Sequence, residues 1–259
     1  MVKNYYQLYK KYKSKYFRLK NMVGGNVFEN SFSYNEIKDL ECGDNCKIDN
    51  GKIKEIKLKE YRVVASSNKI TLYDNYAKYS EFSIDNFNIH FGYLKEMIKM
   101  IEDILNVNKR KGNIKKYSIL ILGFGLGGAC LNLSKYNEFF KIDSIDLDYD
   151  LFKLFKKITL SNNIEVSPKI NYIHGDAVDY LKHCKNQNIK YDFILDDIFI
   201  SSNKIDYDFS IVYDCLNSDG IFFMNVHYTP KEYVDILKKD NYKHVGYIPN
   251  NEYLIYAKK

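Results

Sequence analysis

A glycine-rich loop between two apolar segments constrains the fold of this chain more than any other feature. The apolar run Ser118–Leu122 leads into GFGLGG, which starts at Gly123, and a second apolar segment ends at Asp146, 23 residues after Gly123. Such a run is typical of a buried parallel strand, and the glycines let the chain turn tightly beside a ligand before a helix starts. A carboxylate at the tip of the next strand can accept hydrogen bonds from both ribose hydroxyls. The pattern therefore predicts a βαβ unit that binds a nucleoside.

Strands and helices alternate regularly after this loop. Asp176 is placed to cap one helix, and Pro249 begins a turn between the last two extended segments. We predict an α/β fold with a doubly wound, mostly parallel Rossmann-like sheet and a terminal antiparallel strand. The predicted strands are 118–122, 141–147, 169–174, 191–196, 220–226, 244–248 and 252–257, and the predicted helices are 149–159, 177–184, 207–216 and one that opens at 229–232.

A small β-rich unit is predicted before the glycine loop. Two extended segments, Lys57–Ala65 and Lys69–Tyr73, flank a polar Ser-Ser-Asn and indicate a hairpin, and Tyr93–Val107 has apolar residues at helical spacing. The segment 21–52 shows little periodicity and is predicted to be a linker. We expect three parts: a basic, Tyr-rich extension with its linker (1–50), a hairpin and helix unit (51–112) and a nucleoside-binding domain (113–259).

The positive charge of the chain is confined to its first twenty residues. The whole chain has a net charge of +6, but residues 1–20 hold seven basic and no acidic side chains, which leaves −1 for the remainder. Tyrosines in this arm recur at helical spacing. We favour a helix that docks on its own protein over an arm that binds nucleic acid or an acidic membrane surface.

The five cysteines predict neither a disulfide framework nor a metal site. Cys42 and Cys46 have a C-x3-C spacing, but the two further ligands that zinc needs do not appear nearby. With no apolar signal segment at the N-terminus and no membrane-spanning run, we expect reduced thiols in a cytoplasmic protein.

The glycine spacing alone does not identify the nucleoside. Gly123, Gly125 and Gly128 satisfy G-x-G-x-x-G, which suits NAD equally well. Three later features favour a different ligand. An acid, Asp176, can accept from an adenine amino group, and a pair of acids ending in Asp197 lies at the tip of a strand, next to where a reacting centre would lie. The third feature is the hairpin-like pair of extended segments that closes the domain.

The chain carries five motifs in the order GFGLGG, SIDLD, HGDAVDYL, YDFILDD and DGIFFMNV. In this order they resemble the motifs of class I S-adenosylmethionine-dependent methyltransferases, and among these the spermidine-synthase-like branch. The resemblance covers roughly residues 93–259 and implies an enzyme with S-adenosylmethionine as its cofactor. It implies the following site: Gly123, Gly125 and Gly127 beside the methionine moiety, Asp146 at the ribose, Asp176 and Ala177 at the adenine, and Asp197 as the catalytic residue, which faces the amine or acceptor. No metal is implied.

Two departures from that branch bear on the reaction. Aminopropyltransferases usually have an acid where this chain has Leu126, and a second acid where it has Ile200. A polyamine is a string of cationic amines that must be paired, whereas methyl transfer depends mainly on positioning of the nucleophile. Methyl transfer is therefore the favoured activity, an aminopropyltransferase using decarboxylated S-adenosylmethionine is the alternative, and a non-catalytic binding or assembly module is the third.

The acceptor, a small molecule or a protein, is not identified by the sequence. Three further candidates follow the fifth predicted strand: Asn225, His227 and Tyr228, of which His227 is a candidate base. Two more precede the glycine loop: His90 and Tyr93 are candidate ligand contacts. His174 is expected in the core. By analogy with the branch, a homodimer is the expected assembly.

Overall fold

The computed structural model describes residues 31–41, 43–50, 52–58, 61–74, 78–90, 92–113, 115–198, 208–226, 230–248 and 251–259. The predicted basic helix therefore lies outside the described residues, as do Cys42, Ile200, His227 and Tyr228. In the part of the chain that is described, no helix is long and apolar enough to cross a membrane.

Thirteen strands and six α-helices occur within the described ranges. The strands are β1 (Ser31–Phe32), β2 (Cys46–Asp49), β3 (Lys52–Leu58), β4 (Tyr61–Ala65), β5 (Lys69–Asp74), β6 (Lys78–Ser83), β7 (Tyr117–Leu122), β8 (Phe139–Asp146), β9 (Ile170–His174), β10 (Tyr191–Asp196), β11 (Leu216–Asn225), β12 (His244–Ile248) and β13 (Asn251–Lys258). The helices are α1 (Gly92–Arg110), α2 (Gly128–Ser134), α3 (Tyr149–Ser161), α4 (Ala177–Asn186), α5 (Phe209–Asp214) and α6 (Pro230–Lys239).

The larger sheet has eight strands in the order β1-β9-β8-β7-β10-β11-β13-β12. The five strands from β9 to β11 are parallel, and β13 runs antiparallel between β11 and β12. The predicted fold class, with its terminal antiparallel strand, is confirmed. The strand order reverses between β7 and β10, and in open α/β sheets a ligand crevice forms at the carboxyl ends of such strands.

Helices cover both faces of this sheet because its central strands are apolar on both sides. All six residues of β7 are buried, and alternate side chains point to opposite faces. Ile119 and Ile121 pack in a core with residues of α1, α2 and α3, whereas Leu120 and Leu122 pack in a second core with residues of α4, α5 and α6. Burial of one such side chain contributes roughly 1.5–3 kcal/mol.

The smaller sheet is an antiparallel meander in the order β2-β3-β4-β5-β6. The predicted hairpin is present as β4 and β5, with the Ser66 N–H donating to the Lys69 carbonyl at 2.8 Å. The prediction of one continuous extended segment, Lys57–Ala65, is wrong, because β3 ends at Leu58 and β4 begins at Tyr61. The prediction that 21–52 is only a linker is also wrong, since β1 pairs antiparallel with β9 and β2 belongs to the meander.

Other differences from the sequence predictions are small. Helix α1 buries the apolar side chains at helical spacing, namely Leu94, Met97, Ile98, Ile101 and Leu105. Helix α5 is shorter than the predicted 207–216 because Leu216 already begins β11. Cys46 is disulfide-bonded, which corrects the expectation of reduced thiols at that position. The three other described cysteines, Cys130, Cys184 and Cys215, are free and buried.

Candidate active site

The first glycine of the loop brings the ends of β7 and β10 together. Gly123 has a φ of +93°, and a Cβ atom there would lie 2.7 Å from the carbonyl oxygen of Asp197. The Asp197 N–H donates to the Leu122 carbonyl at 2.8 Å, and the Gly123 N–H donates to the Ile145 carbonyl at 2.9 Å. The close approach leaves no room for a side chain, so glycine is required here.

The other loop glycines have different surroundings. Gly125 (φ +56°) lines a cleft together with Gly128. Gly127 (φ +71°) is buried, and a Cβ atom there would lie 2.7 Å from ring atoms of both Phe124 and Phe155. The described structure therefore places Gly125 at the cleft and Gly127 against the aromatic core, where it allows α2 to pack closely.

Asp146 lies at the carboxyl end of β8, where its carboxylate is held by two backbone groups. Its Oδ2 accepts from the Phe124 N–H at 2.9 Å, and its Oδ1 accepts from the Asp148 N–H at 2.9 Å. The side chain is half-buried, and the Gly175 N–H donates to the Asp146 carbonyl at 3.0 Å. The ends of β8 and β9 are thus tied together beside the glycine loop.

Asp176 is the N-cap of α4. Its Oδ1 accepts from the N–H groups of Val178 at 2.9 Å and Asp179 at 3.1 Å, and the residue is 5% exposed. Ala177, the first residue of α4, is half-buried. These contacts account for the capping role that the sequence indicates, and Asp176 lies on the loop that the Gly175 hydrogen bond joins to Asp146.

Asp197 follows β10 and has the most perturbed environment among the candidate residues. The residue keeps some accessible surface, but its Oδ1 is buried and has no hydrogen-bond partner among the described residues. Burial raises the pKa of this carboxyl to about 8, opposed by a hydrogen bond from the Tyr93 hydroxyl and reinforced by the neighbouring charges of Asp196 and Asp146. Such a pKa allows a carboxyl group to exchange a proton near neutral pH.

The cleft around Asp197 draws its walls from four parts of the fold. They are the meander, the start of α1, the glycine loop with the start of α2, and the end of β10. The lining residues are Ser80, Tyr93, Leu94, Phe124, Gly125, Gly128, Ala129 and Asp197. The cavity volume is about 10 Å³, which is room for about one water molecule. The burial of Oδ1 in this cleft explains why ionisation of Asp197 is disfavoured.

Sequence reasoning missed Ser80 and Phe124 as cleft residues. Ser80 lies in an extended segment with no motif, so only the packing of the meander on α1 and the loop reveals it. Phe124 stands inside the glycine motif, and its N–H contact with Asp146 could have been expected from the neighbouring strand ends. Tyr93 was a candidate, and the structure places it in the cleft.

The remaining candidates lie elsewhere. His90 is exposed, and its Nε2 shares a hydrogen bond with Ser83 Oγ at 2.6 Å. His174 is half-buried rather than fully in the core; its Nε2 contacts the Leu147 carbonyl at 3.1 Å, and burial lowers its pKa. Asn225 ends β11 and pairs with Leu254. Within the described ranges, no group of three or more potential ligands could hold a metal ion.

Leu126 is 1% exposed and packs in the apolar core shared with α1, α2 and α3. The position where the aminopropyltransferases have an acid therefore faces hydrophobic side chains in this chain. A carboxylate there would be desolvated without a partner. Leucine at position 126, in place of the acid, therefore removes a charge and adds an apolar contact to the core.

The strand order and the loops at its reversal point define a Rossmann-like fold of the class I methyltransferase type. The profile of the spermine/spermidine synthase domain matches residues 94–253, which is more than half of the chain. The chain therefore belongs to the spermine/spermidine synthase domain family. No curated protein sequence matches it.

Solved structures share this fold at low sequence identity. A probable spermidine synthase from Corynebacterium glutamicum ATCC 13032 is 13% identical, with a TM-score of 0.57 over 79% of each chain. Spermidine synthase from Thermotoga maritima is 16% identical, with a TM-score of 0.51 over 79% of this chain and 72% of that one. A SAM-dependent methyltransferase from Agrobacterium tumefaciens is 14% identical, with a TM-score of 0.50 over 82% and 75%. At these identities the comparison supports the fold alone.

The described residues fit a nucleoside sulfonium cofactor in three respects. The loop backbone at Gly125 is left-handed, carries no side chain and lines the cleft, so a ligand can approach it closely. The buried Oδ1 of Asp197 provides an acceptor beside the same loop. Asp146 adds a half-buried carboxylate at the tip of β8, where a ribose is bound in folds of this kind.

Proposed function

We propose that this protein is an S-adenosylmethionine-dependent methyltransferase of the spermidine-synthase-like type, in which Asp197 is the catalytic residue. The observation that carries this proposal is the Asp197 carboxyl group, enclosed next to the glycine loop with a pKa of about 8. A group with that pKa can orient an acceptor amine or hydroxyl and take the proton that it loses.

The cofactor would be held by the residues that the sequence indicates. Asp146 would accept from the ribose hydroxyls, Asp176 and Ala177 would lie at the adenine, and Gly123, Gly125 and Gly127 would shape the loop beside the methionine moiety. S-adenosylmethionine supplies a methyl group on a sulfonium, which is a good leaving group. The chain's own contribution is therefore positioning, exclusion of water and proton acceptance.

Tyr93 assists Asp197 in this scheme. Its hydroxyl donates to the Asp197 carboxylate and so favours the ionised form against the cost of burial. Ser80 is a further polar residue that lines the same cleft.

An aminopropyltransferase is the second candidate, and the family match favours it. That reaction needs acids to pair with a polyamine. Asp196 and Asp197 lie at the carboxyl end of β10, beside the glycine loop. Leu126, however, is buried among apolar side chains and offers no charge. Methyl transfer requires fewer acids, so we place it first.

The experiment compares two labelled donors. The purified protein is incubated with methyl-labelled S-adenosylmethionine and an acceptor panel of amines, small hydroxyl compounds and proteins, and separately with decarboxylated S-adenosylmethionine and putrescine. Methylated product that disappears in Asp197→Asn supports the proposal. Spermidine formation would instead establish the second candidate, and binding of the cofactor without turnover on any acceptor would favour a non-catalytic module.

A further inference from the structure

A chain of hydrogen bonds connects the meander with the carboxylate at the tip of β8. The Tyr61 hydroxyl, on β4, donates to Asp148 Oδ2 at 2.8 Å. The other oxygen of that carboxylate, Oδ1, accepts from the Asp150 N–H at 3.1 Å and caps α3. The Asp148 N–H in turn donates to Asp146 Oδ1 at 2.9 Å. The turn between β8 and α3 is therefore held from outside the larger sheet.

The orientation of the Asp146 carboxylate depends on this turn. One of its oxygens is fixed by the Phe124 N–H of the glycine loop, and the other is fixed by the Asp148 N–H. Tyr61 is 8% exposed and its hydrogen bond to Asp148 is partly buried, and a hydrogen bond to a carboxylate is stronger there than in open water. Loss of the Tyr61 hydroxyl would remove this hydrogen bond to Asp148 and loosen the turn.

We propose that Tyr61 is a positioning residue for the ribose-binding carboxylate Asp146, acting through Asp148. The part of this inference that concerns ribose rests on the proposed function, whereas the hydrogen-bond relay does not. Tyr61 lies before residue 94, where the family match begins. The meander would thus complete the cofactor site on the ribose side through Tyr61, in addition to lining the acceptor cleft through Ser80.

A Tyr61→Phe variant should keep the fold, because other contacts hold the preceding segment on α3. Lys156 Nζ donates to the Ile37 carbonyl at 2.6 Å and pairs with Asp39 at 3.0 Å. Tyr34 Oη lies 2.6 Å from Thr159 Oγ1. None of these contacts involves the Tyr61 hydroxyl.

Tyr136→Phe is the matched control. Tyr136 Oη donates to Glu102 Oε1 at 2.6 Å, so this variant also removes a phenol–carboxylate hydrogen bond, but one outside the Asp146 relay. Two measurements are made on the full chain of each variant: amide hydrogen exchange at Asp148 without ligand, and calorimetric affinity for S-adenosylmethionine and S-adenosylhomocysteine. Both substitutions are also combined with Asp146→Asn.

We expect Tyr61→Phe to speed hydrogen exchange of the Asp148 amide. We also expect it to lower the affinity for S-adenosylmethionine and S-adenosylhomocysteine about tenfold, equivalent to about 1.4 kcal/mol. Tyr136→Phe should change neither quantity. In the Asp146→Asn background, Tyr61→Phe should cost little further affinity, since both changes act on one group. Unchanged Asp148 exchange, wild-type affinity in Tyr61→Phe, or full additivity with Asp146→Asn would overturn the inference. If the wild type binds neither nucleoside, the proposed function fails, while the exchange result still decides the relay.

Discussion

Gly123 and Asp197 lie in direct backbone contact, so close that a Cβ atom on Gly123 would be 2.7 Å from the Asp197 carbonyl oxygen. This contact joins the loop that is expected to hold the cofactor to the residue that is expected to act on the acceptor. Their separation in sequence is 74 residues. The two halves of the candidate site are thus set by one packing relationship at the point where the strand order reverses.

Replacement of Gly123 by alanine should therefore damage both stability and binding. Gly112→Ala is the control, because Gly112 also has a positive φ (+73°) but nothing lies within 4 Å of its Cβ position. We expect the control to lose about 1–2 kcal/mol of unfolding free energy from the backbone alone. Gly123→Ala should lose about 2–5 kcal/mol and at least about tenfold in cofactor affinity. Urea unfolding and calorimetry measure the two quantities, and equal effects of both substitutions would contradict the contact.

The raised pKa of Asp197 predicts how activity depends on pH. If Asp197 accepts a proton from the acceptor, kcat/KM should rise with pH and level off above an apparent pKa of about 8. Asp197→Asn should lower kcat by about 10²–10⁴-fold and abolish that transition. The check is a pH–rate profile of both proteins, once an acceptor is found. A profile in wild type that is flat between pH 6 and about 9 would exclude this role.

The raised pKa of Asp197 also predicts that the stability of the protein falls as the pH rises, whereas its activity should increase. The folded-state pKa of Asp197 lies above the ordinary value of 3.8, so between these two values the folded state binds more protons than the unfolded state. Its contribution to stability is therefore lost as the pH rises towards 8. Asp197→Asn removes this dependence, and above pH 8 its Tm should exceed that of the wild type by at least about 2–4 °C, the shift that 1 kcal/mol produces in a domain of this size. A lower Tm of the variant at that pH would show that the carboxylate is stabilised by partners.

The burial of Leu126 predicts that an acid cannot be restored at this position. Leu126→Asp places a carboxylate without a partner in the apolar core and should cost about 3–5 kcal/mol of unfolding free energy, whereas Leu126→Met should cost less than about 1.5 kcal/mol. We also expect the Leu126→Asp variant to form no spermidine from decarboxylated S-adenosylmethionine and putrescine. A stable Leu126→Asp variant that forms spermidine would favour the hypothesis of an aminopropyltransferase.

Asp176 combines a structural role with an expected ligand role, and substitutions can separate them. Asp176→Ser can retain the N-cap of α4 but lacks the carboxylate, so its stability should stay near that of the wild type while its cofactor affinity falls severalfold. Asp208→Ala removes the cap of α5 and should cost about 1 kcal/mol of stability without changing that affinity. Wild-type cofactor affinity in Asp176→Ser would leave Asp176 with the capping role alone.

The parts of the fold that the sequence predicts are those governed by local pattern. The run into Gly123, the alternation around Asp146 and the helical spacing in α1 each reflect neighbours within one or two turns of chain. β1 was missed because two residues carry no periodicity and pair with β9 more than 130 residues away. Ser80 and Tyr61 were missed for a related reason: they reach the site only because the meander packs against the larger sheet.

The identity of the cofactor is decided by calorimetric titration of one preparation with S-adenosylmethionine, decarboxylated S-adenosylmethionine and NAD, with Asp146→Ala as the control. We expect S-adenosylmethionine to bind most tightly, and we expect Asp146→Ala to lose that binding because it removes the carboxylate proposed to hold the ribose. Preference for the decarboxylated form would contradict methyl transfer, preference for NAD would contradict the cofactor class, and unchanged binding by Asp146→Ala would contradict the site.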